Sequence, residues 1–332
     1  MRRRPASRAP AVAAVVLAVL LLWSPYVPLP GGRHLDVVLP FTQLVALRPP
    51  LAVAVLLLGA AALARAVRRR RGVVPALLVV VLAGGAALQV AARTVGAGRP
   101  GPSAVAVTVL TANTARSSVR PATLAALVDR TGARVVALPE TNRDAARAIA
   151  AELTRTTGRP WRAFGDATAW PDDATSAKVT ALVVAGRLRP RALPAATPPG
   201  SHGQVRVRLD ALGVSVAAVH PVAPPPGGSQ GRWRTDLLAL RGFCRDAWIV
   251  AGDLNATIDH SPLRAVLHAG CEDAARAAGR GLRATWSGGP LGLVRPQLDH
   301  VLLGGGWRAD RAGVLALPGS DHRAVWARVG PA

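Results

Sequence analysis

Hydrophobic positions fall into two regimes along the chain. Up to residue 93 they form long unbroken blocks, at 9–32, 49–64 and 72–92, separated by arginines. From residue 104 onward the apolar runs shorten to strand length and alternate with amphipathic stretches. A helix needs about 20 apolar residues to cross a hydrocarbon core of roughly 30 Å. The first and third blocks meet that length, and the second does so if Arg65 snorkels and Ala66 and Val67 complete it. Three membrane-spanning helices are therefore predicted over residues 1–93. The alternative for the first block is a cleaved signal peptide, because Arg2, Arg3 and Arg4 precede the apolar run at 11–23. No small-x-small cleavage site follows it, and two further hydrophobic blocks do.

Residues 94–103, containing GAGRPGPS at 96–103, read as a linker, and the 229 residues at 104–332 can bury one sizeable core. Strands are predicted at 104–110, 134–138, 179–184, 204–209, 214–219, 248–251, 298–303 and 322–329. Helices are predicted at 120–130, 143–156, 230–245 and 262–268. Many strands, some adjacent and some separated by single helices, predict an α/β fold: a two-sheet α/β sandwich with outer helices, behind the three-helix anchor.

Charge changes the picture mainly through its location. The 332 residues carry 41 basic and 18 acidic side chains, a net +23, and every basic residue except Lys178 is arginine. Arginine and alanine are both over-used, so the charge alone is weak evidence for a nucleic-acid partner. Residues 1–93 hold 12 basic residues against one acidic. Arg2, Arg3, Arg4 and Arg8 precede the first block, and Arg65 with Arg68, Arg69, Arg70 and Arg71 separate the second and third; only Arg33 and Arg48 lie in the other loop. The positive-inside rule then predicts a cytoplasmic N-terminus, and three spans place residues after Arg93 outside. The semi-polar segment 36–47, with Pro40, is expected along the outer interface.

Polar residues cluster where the predicted strands end, which is where sites are usually built. Asn113 follows the first strand (VLTANTA), Glu140 the second (VVALPET) and His220 the fifth (AAVHP). Asp253 and Asn255 follow the sixth (IVAGDLNAT), Asp299 and His300 sit in QLDHVLL, and Asp321 and His322 in GSDHRAV. Each alone is an ordinary turn or cap residue. Together, and in this order, they resemble the endonuclease/exonuclease/phosphatase superfamily, the group related to DNase I and the neutral sphingomyelinases. The resemblance covers about 105–329, with GDLNAT and SDHR its most specific parts. The three-helix anchor further resembles the VanJ-type, teicoplanin-resistance-like membrane proteins of actinobacteria.

Phosphate-ester hydrolysis needs a cation against the non-bridging oxygens, a base for water and help for the leaving oxygen. Glu140, a hard carboxylate at a strand end, is the leading metal ligand for Mg²⁺, with Mn²⁺ as the alternative. Asp321 is a second or water-mediated ligand candidate. The resemblance implies that Asn113 lies near metal and phosphate, that Asp253 orients the attacking water, and that Asn255 contacts phosphate oxygens. It makes His322 the acid/base or phosphate-contacting histidine, held by Asp299, and His220 the acid for the leaving group. Pro139 stands where many members have glutamine, and Ala115 where some nucleases have an acidic ligand. His300 is expected to pack without catalysis; Asp259, His260, His202 and His268 are expected at the surface.

Cys244 and Cys271 flank the GDLN strand and its following helix, so a disulfide is possible there; two buried thiols are the alternative. Trp233, between Arg232 and Arg234 in the proline-rich stretch 221–234, is expected at a lipid headgroup interface, with a plain surface loop as the alternative. Three functions compete. The first is a cell-membrane phosphoesterase, facing outward, that acts on a lipid-linked phosphate. The second is a tethered nuclease, or a phospholipase C-like or sphingomyelinase-like phosphodiesterase. The third, an inactive binding module, is disfavoured by the full residue set. No obligate protein partner is expected.

Overall fold

The computed structural model describes residues 9–96, 106–165, 178–194, 203–224, 230–288 and 295–332. Residues 97–103 of the expected linker, the arginines before the first block, His202 and part of the 221–234 stretch lie outside the described residues. The chain divides into two units, Met1–Ala92 with Asp259–Ser261, and Arg93–Ile258 with Pro262–Ala332.

In the first unit, helix α1 (Ala9–Trp23) is followed by a hairpin of β1 (Pro28–Leu29) and β2 (Arg33–His34), the short α2 (Phe41–Ala46), and the long α3 (Arg48–Arg69) and α4 (Val73–Ala91). The first apolar block is therefore not one helix to residue 32. Pro25 cannot continue the hydrogen-bond ladder, and the chain passes through a 3₁₀ turn at Ser24–Tyr26 into the hairpin. Helix α3 starts with Pro49 and Pro50 in its first turn, where their missing N–H groups cost nothing. Three stretches, Ala9–Tyr26, Arg48–Arg69 and Val73–Thr94, are long and apolar enough to cross a membrane. They meet around buried Leu22, Ala52, Ala83 and Ala86.

Arg48 is buried in this unit, and its donors are met: Nε by the Leu22 carbonyl at 2.9 Å, one terminal nitrogen by Gln89 Oε1 at 2.6 Å, the other by Asp259 Oδ1 at 2.6 Å. Ser261 donates its backbone N–H and its hydroxyl to buried Asp36, and His260 Nε2 lies 2.9 Å from the Thr42 carbonyl oxygen. Asp259 and His260 are thus buried, against the expectation of surface residues; a buried guanidinium requires such a counter-charge.

In the second unit, one six-stranded sheet runs in the order β13 (Trp307–Ala316), β14 (Arg323–Pro331), β3 (Val107–Thr111), β4 (Val135–Pro139), β6 (Thr180–Ala185), β5 (Trp161–Gly165). The other runs β11 (Glu272–Asp273), β12 (Asp299–Leu303), β10 (Trp248–Asp253), β9 (Val214–Val219), β8 (Gln204–Leu209), β7 (Pro190–Ala192). Alternate residues of each strand face the other sheet. Val107, Val109, Val135, Ala137, Leu182 and Val184 of the first meet Val207, Val216, Ala218, Ile249, Ala251 and Val301 of the second. The intervening residues Leu110, Val136, Leu138, Ala181 and Val183 face outward and are covered by α5 (Pro121–Thr131) and α6 (Arg143–Thr157) through Leu124, Val128, Ile149 and Leu153. The remaining helices are α7 (Gln230–Ala239), α8 (Ser261–His268) and α9 (Ala274–Ala277). The architecture is the two-sheet α/β sandwich read from the sequence. Cys244 and Cys271 form a disulfide with their Cα atoms 4.6 Å apart.

Candidate active site

Topology brings the strand-end residues to one edge of the sandwich. Strands β3 and β4 are parallel, as are β9 and β10, so Asn113, Glu140, His220 and Asp253 all follow or close strands that end on the same side. Strands β12 and β14 run antiparallel to these neighbours and begin there, which puts Asp299 opposite Asp253 in the β10–β12 register and His322 just ahead of β14.

Local backbone shows why the motif residues are what they are. A Cβ on Gly252 would run into the carbonyl of Val219 on the adjacent strand, so only glycine lets β10 pack there and deliver Asp253 beside His220. Glu140 and Asn255 both adopt left-handed backbone, with φ of 56° and 49°. Such strain in non-glycine residues persists where surrounding contacts over-determine it. At Glu140 the carbonyl accepts from the Ser117 N–H at 2.9 Å and the Thr114 hydroxyl at 2.8 Å. At Asn255 the backbone N–H donates to Asp253 Oδ1 at 2.9 Å, the side-chain amide donates to the Pro221 carbonyl at 3.0 Å, and the carbonyl accepts from Trp233 Nε1 at 3.0 Å.

Asp253 is the hub. Its Oδ2 lies 3.6 Å from His220 Nε2 and 3.6 Å from His322 Nε2, and accepts from the Asn113 amide at 3.1 Å. The same amide nitrogen donates to Glu140 Oε1 at 3.1 Å, so buried Asn113 links the two carboxylates. His322 Nδ1 sits 2.9 Å from Asp299 Oδ2, which turns Nε2 toward Asp253. The Asp299 backbone N–H is fixed by the Thr285 hydroxyl at 3.0 Å.

Burial pushes the Asp253 carboxyl up to about 7; the His322 cation opposes the rise, and Asp299 adds to it. For His322, burial works against the charge, but the carboxylates of Asp299 and Asp253 outweigh it and raise the imidazole to about 10. At neutral pH the cluster therefore holds an imidazolium between two carboxyl groups, one of which titrates close to neutrality.

Two donor sets suit a cation. Ligand atoms of Asp253, Asp299 and His322 lie within 4.8 Å of one another. In that set His322 Nδ1 is engaged by Asp299 Oδ2, so the imidazole faces the space with Nε2 alone. Half-buried Glu140 accepts one hydrogen bond on each oxygen, from Asn113 and from the Arg116 N–H at 3.1 Å. Since a carboxylate offers about four lone-pair directions, acceptor capacity remains for a hard ion that keeps most of its waters.

Asp321, expected as a second or water-mediated metal ligand, is exposed and lies outside that three-residue group; its Oδ2 accepts the indole proton of Trp286 at 2.8 Å. Trp286 in turn lies 6.5 Å from the His322 ring, centroid to centroid. Trp233 is fully buried rather than at a headgroup interface, because its indole N–H is needed at Asn255. Sequence reasoning also missed a buried clamp: His300 bridges Asp273 Oδ2 at 2.7 Å and the Ala256 carbonyl at 2.9 Å, next to Asn255. The DH pair in QLDHVLL was its only signal, and the partner Asp273 carries none.

No curated protein sequence matches the chain. Among solved structures it is similar to a TDP2 of D. rerio humanised by 14 mutations, at 16% identity and a TM-score of 0.53, covering 68% of this chain and 99% of that one. It is also similar to an endonuclease/exonuclease/phosphatase from Beutenbergia cavernae, at 17% identity and a TM-score of 0.51, covering 68% and 72%. A third is a family protein from Leptotrichia buccalis, at 12% identity and a TM-score of 0.50, covering 67% and 99%. These likenesses establish the fold. The model of the endonuclease/exonuclease/phosphatase family matches residues 110–322, from the strand before Asn113 through His322, and the chain belongs to that family.

Proposed function

We propose that the protein is a membrane-anchored phosphoesterase that works outside the cytoplasm, requires a divalent cation, and hydrolyses a phosphate ester or pyrophosphate on a lipid-linked envelope substrate. The observation that carries this reading is Asp253 flanked by His220 and His322 at 3.6 Å each, with Asp299 behind His322. Asp253 takes the proton of the attacking water, and its elevated carboxyl suits a base working near neutral pH. His322, held as a cation, contacts the phosphate oxygens where charge develops. Asn255 adds its amide to the same oxygens, and His220 protonates the leaving oxygen. Glu140, aligned by Asn113, would hold Mg²⁺, which when bound would neutralise the non-bridging oxygens.

Three apolar helices support the anchor, and tethering would confine the site to a surface where lipid phosphates are concentrated. The Cys244–Cys271 disulfide supports an oxidising compartment. The net +12 of residues 94–332 favours the second reading, a tethered nuclease. Purified full-length protein in detergent with Mg²⁺ decides between them. Turnover of a polyprenyl phosphate or pyrophosphate is expected to exceed that of double-stranded DNA by at least about tenfold at equal phosphate. The reverse ranking makes it a nuclease, and full activity in EDTA removes the cation from the scheme.

A further inference from the structure

We infer that the three-helix unit carries a lipid site of its own: a groove between α1, α3 and α4 that takes one acyl chain of an anionic phospholipid, with the headgroup at Arg65 and Arg69. This rests on the reading of those helices as membrane-spanning. The groove encloses about 410 Å³, and every side chain lining it is apolar. That volume falls within the range of small-molecule sites. Its walls are made by small residues on facing helices, including Ala14 and Ala18 of α1, Gly59 and Ala62 of α3, and Ala76 of α4. Gly59 explains part of the shape. A Cβ there would stand 3.1 Å from Val79 Cγ1 and 3.3 Å from Val80 Cγ2, so glycine lets α3 and α4 close on each other while the space beside them stays open.

A cavity without polar walls offers water no partners and would be filled by hydrocarbon. What separates a defined lipid from passing chains is the charge at one end. Ala62, Arg65 and Arg69 fall at i, i+3 and i+7 of α3, on one helix face, so the groove wall leads directly onto two exposed arginines. Ala66 and Gly72 also line the groove and bracket Arg68, Arg69, Arg70 and Arg71. Among the described residues no acidic side chain pairs with these arginines; Asp36 and Asp259 of this unit are buried with Ser261 and Arg48. A phosphate headgroup with one net negative charge supplies the missing counter-charge, and its chain fills the apolar space.

The test uses full-length protein reconstituted into nanodiscs of equal phosphatidylglycerol and phosphatidylcholine, then released for native mass spectrometry. One retained phosphatidylglycerol per protein is expected, preferred over phosphatidylcholine by about tenfold. Filling the groove with Ala62→Phe and Ala76→Phe should cut retention about tenfold. Arg65→Gln with Arg69→Gln, on exposed positions, should leave a lipid bound but bring the two lipids to parity. Equal retention of both lipids by the unaltered protein, or retention unchanged by the two phenylalanines, overturns the inference. An alkaline carbonate wash separates it from the reading beneath: protein released from membranes refutes the spans, whereas protein that stays embedded but retains no lipid refutes the groove alone.

Discussion

His322 illustrates how much of the site's behaviour resides in single atoms. One ring nitrogen is held by Asp299 and the other faces Asp253, so the imidazole stays charged well above its ordinary range. In the proposed reaction Asp253 must be ionised and His322 protonated. Activity should therefore fall below about pH 7, as Asp253 takes up a proton, and fall again above about pH 10, as His322 loses one; a pH–rate profile measures both limbs. Asp299→Asn removes the carboxylate that does most to raise His322. The alkaline limb should move to lower pH and the rate should drop about 100-fold or more, and a rate within a fewfold of the original would remove Asp299 from the mechanism. At this scale the sequence pointed to Asn113, Glu140, His220, Asp253, Asn255, Asp299 and His322, which the fold gathers at one edge, because polar residues after apolar strand runs stand out. It hid Trp233, Asp259, His260 and the His300–Asp273 clamp, because burial of a polar side chain depends on a partner that can lie far away in sequence, as Arg48 does from Asp259.

Elements were legible where alternation was strong. Gln204–Leu209 and Val214–Val219 fall on their expected bounds, since both are central strands with one apolar face against the facing sheet. Strands β5 and β13 were not expected. Both are edge strands, and β13 carries Arg308, Asp310 and Arg311 with no period-two burial, so its pairing with β14 rather than its composition makes it a strand. The helix at 230–245 stops at Ala239 and finishes in a 3₁₀ turn at Leu240–Phe243 leading to Cys244. The disulfide there ties this turn to the start of β11 across a sequence separation of 27. Non-reducing digestion should yield one cross-linked peptide pair. Replacing both cysteines by alanine should cost roughly 3 kcal/mol in a denaturant titration. Two thiols free to alkylate would contradict the bridge.

For the whole chain, the charge pattern of the first 93 residues makes the sharpest claim. Nine arginines in two segments predict that a phosphatase reporter fused after Ala332 is active and one fused after Arg71 is silent; the reverse pattern would invert the topology and place the site in the cytoplasm. Fold class was legible at this scale because long apolar blocks and short alternating runs differ in kind. The domain's substrate was not, since the sandwich supplies an edge for a site and leaves the choice of ester to the loops around it. The Cys244–Cys271 bridge spans the segment that carries Asp253, Asn255 and α8. A backbone cut anywhere between those cysteines therefore leaves both fragments covalently joined: a nicked molecule keeps its single band on a gel and separates into two only after thiol is added.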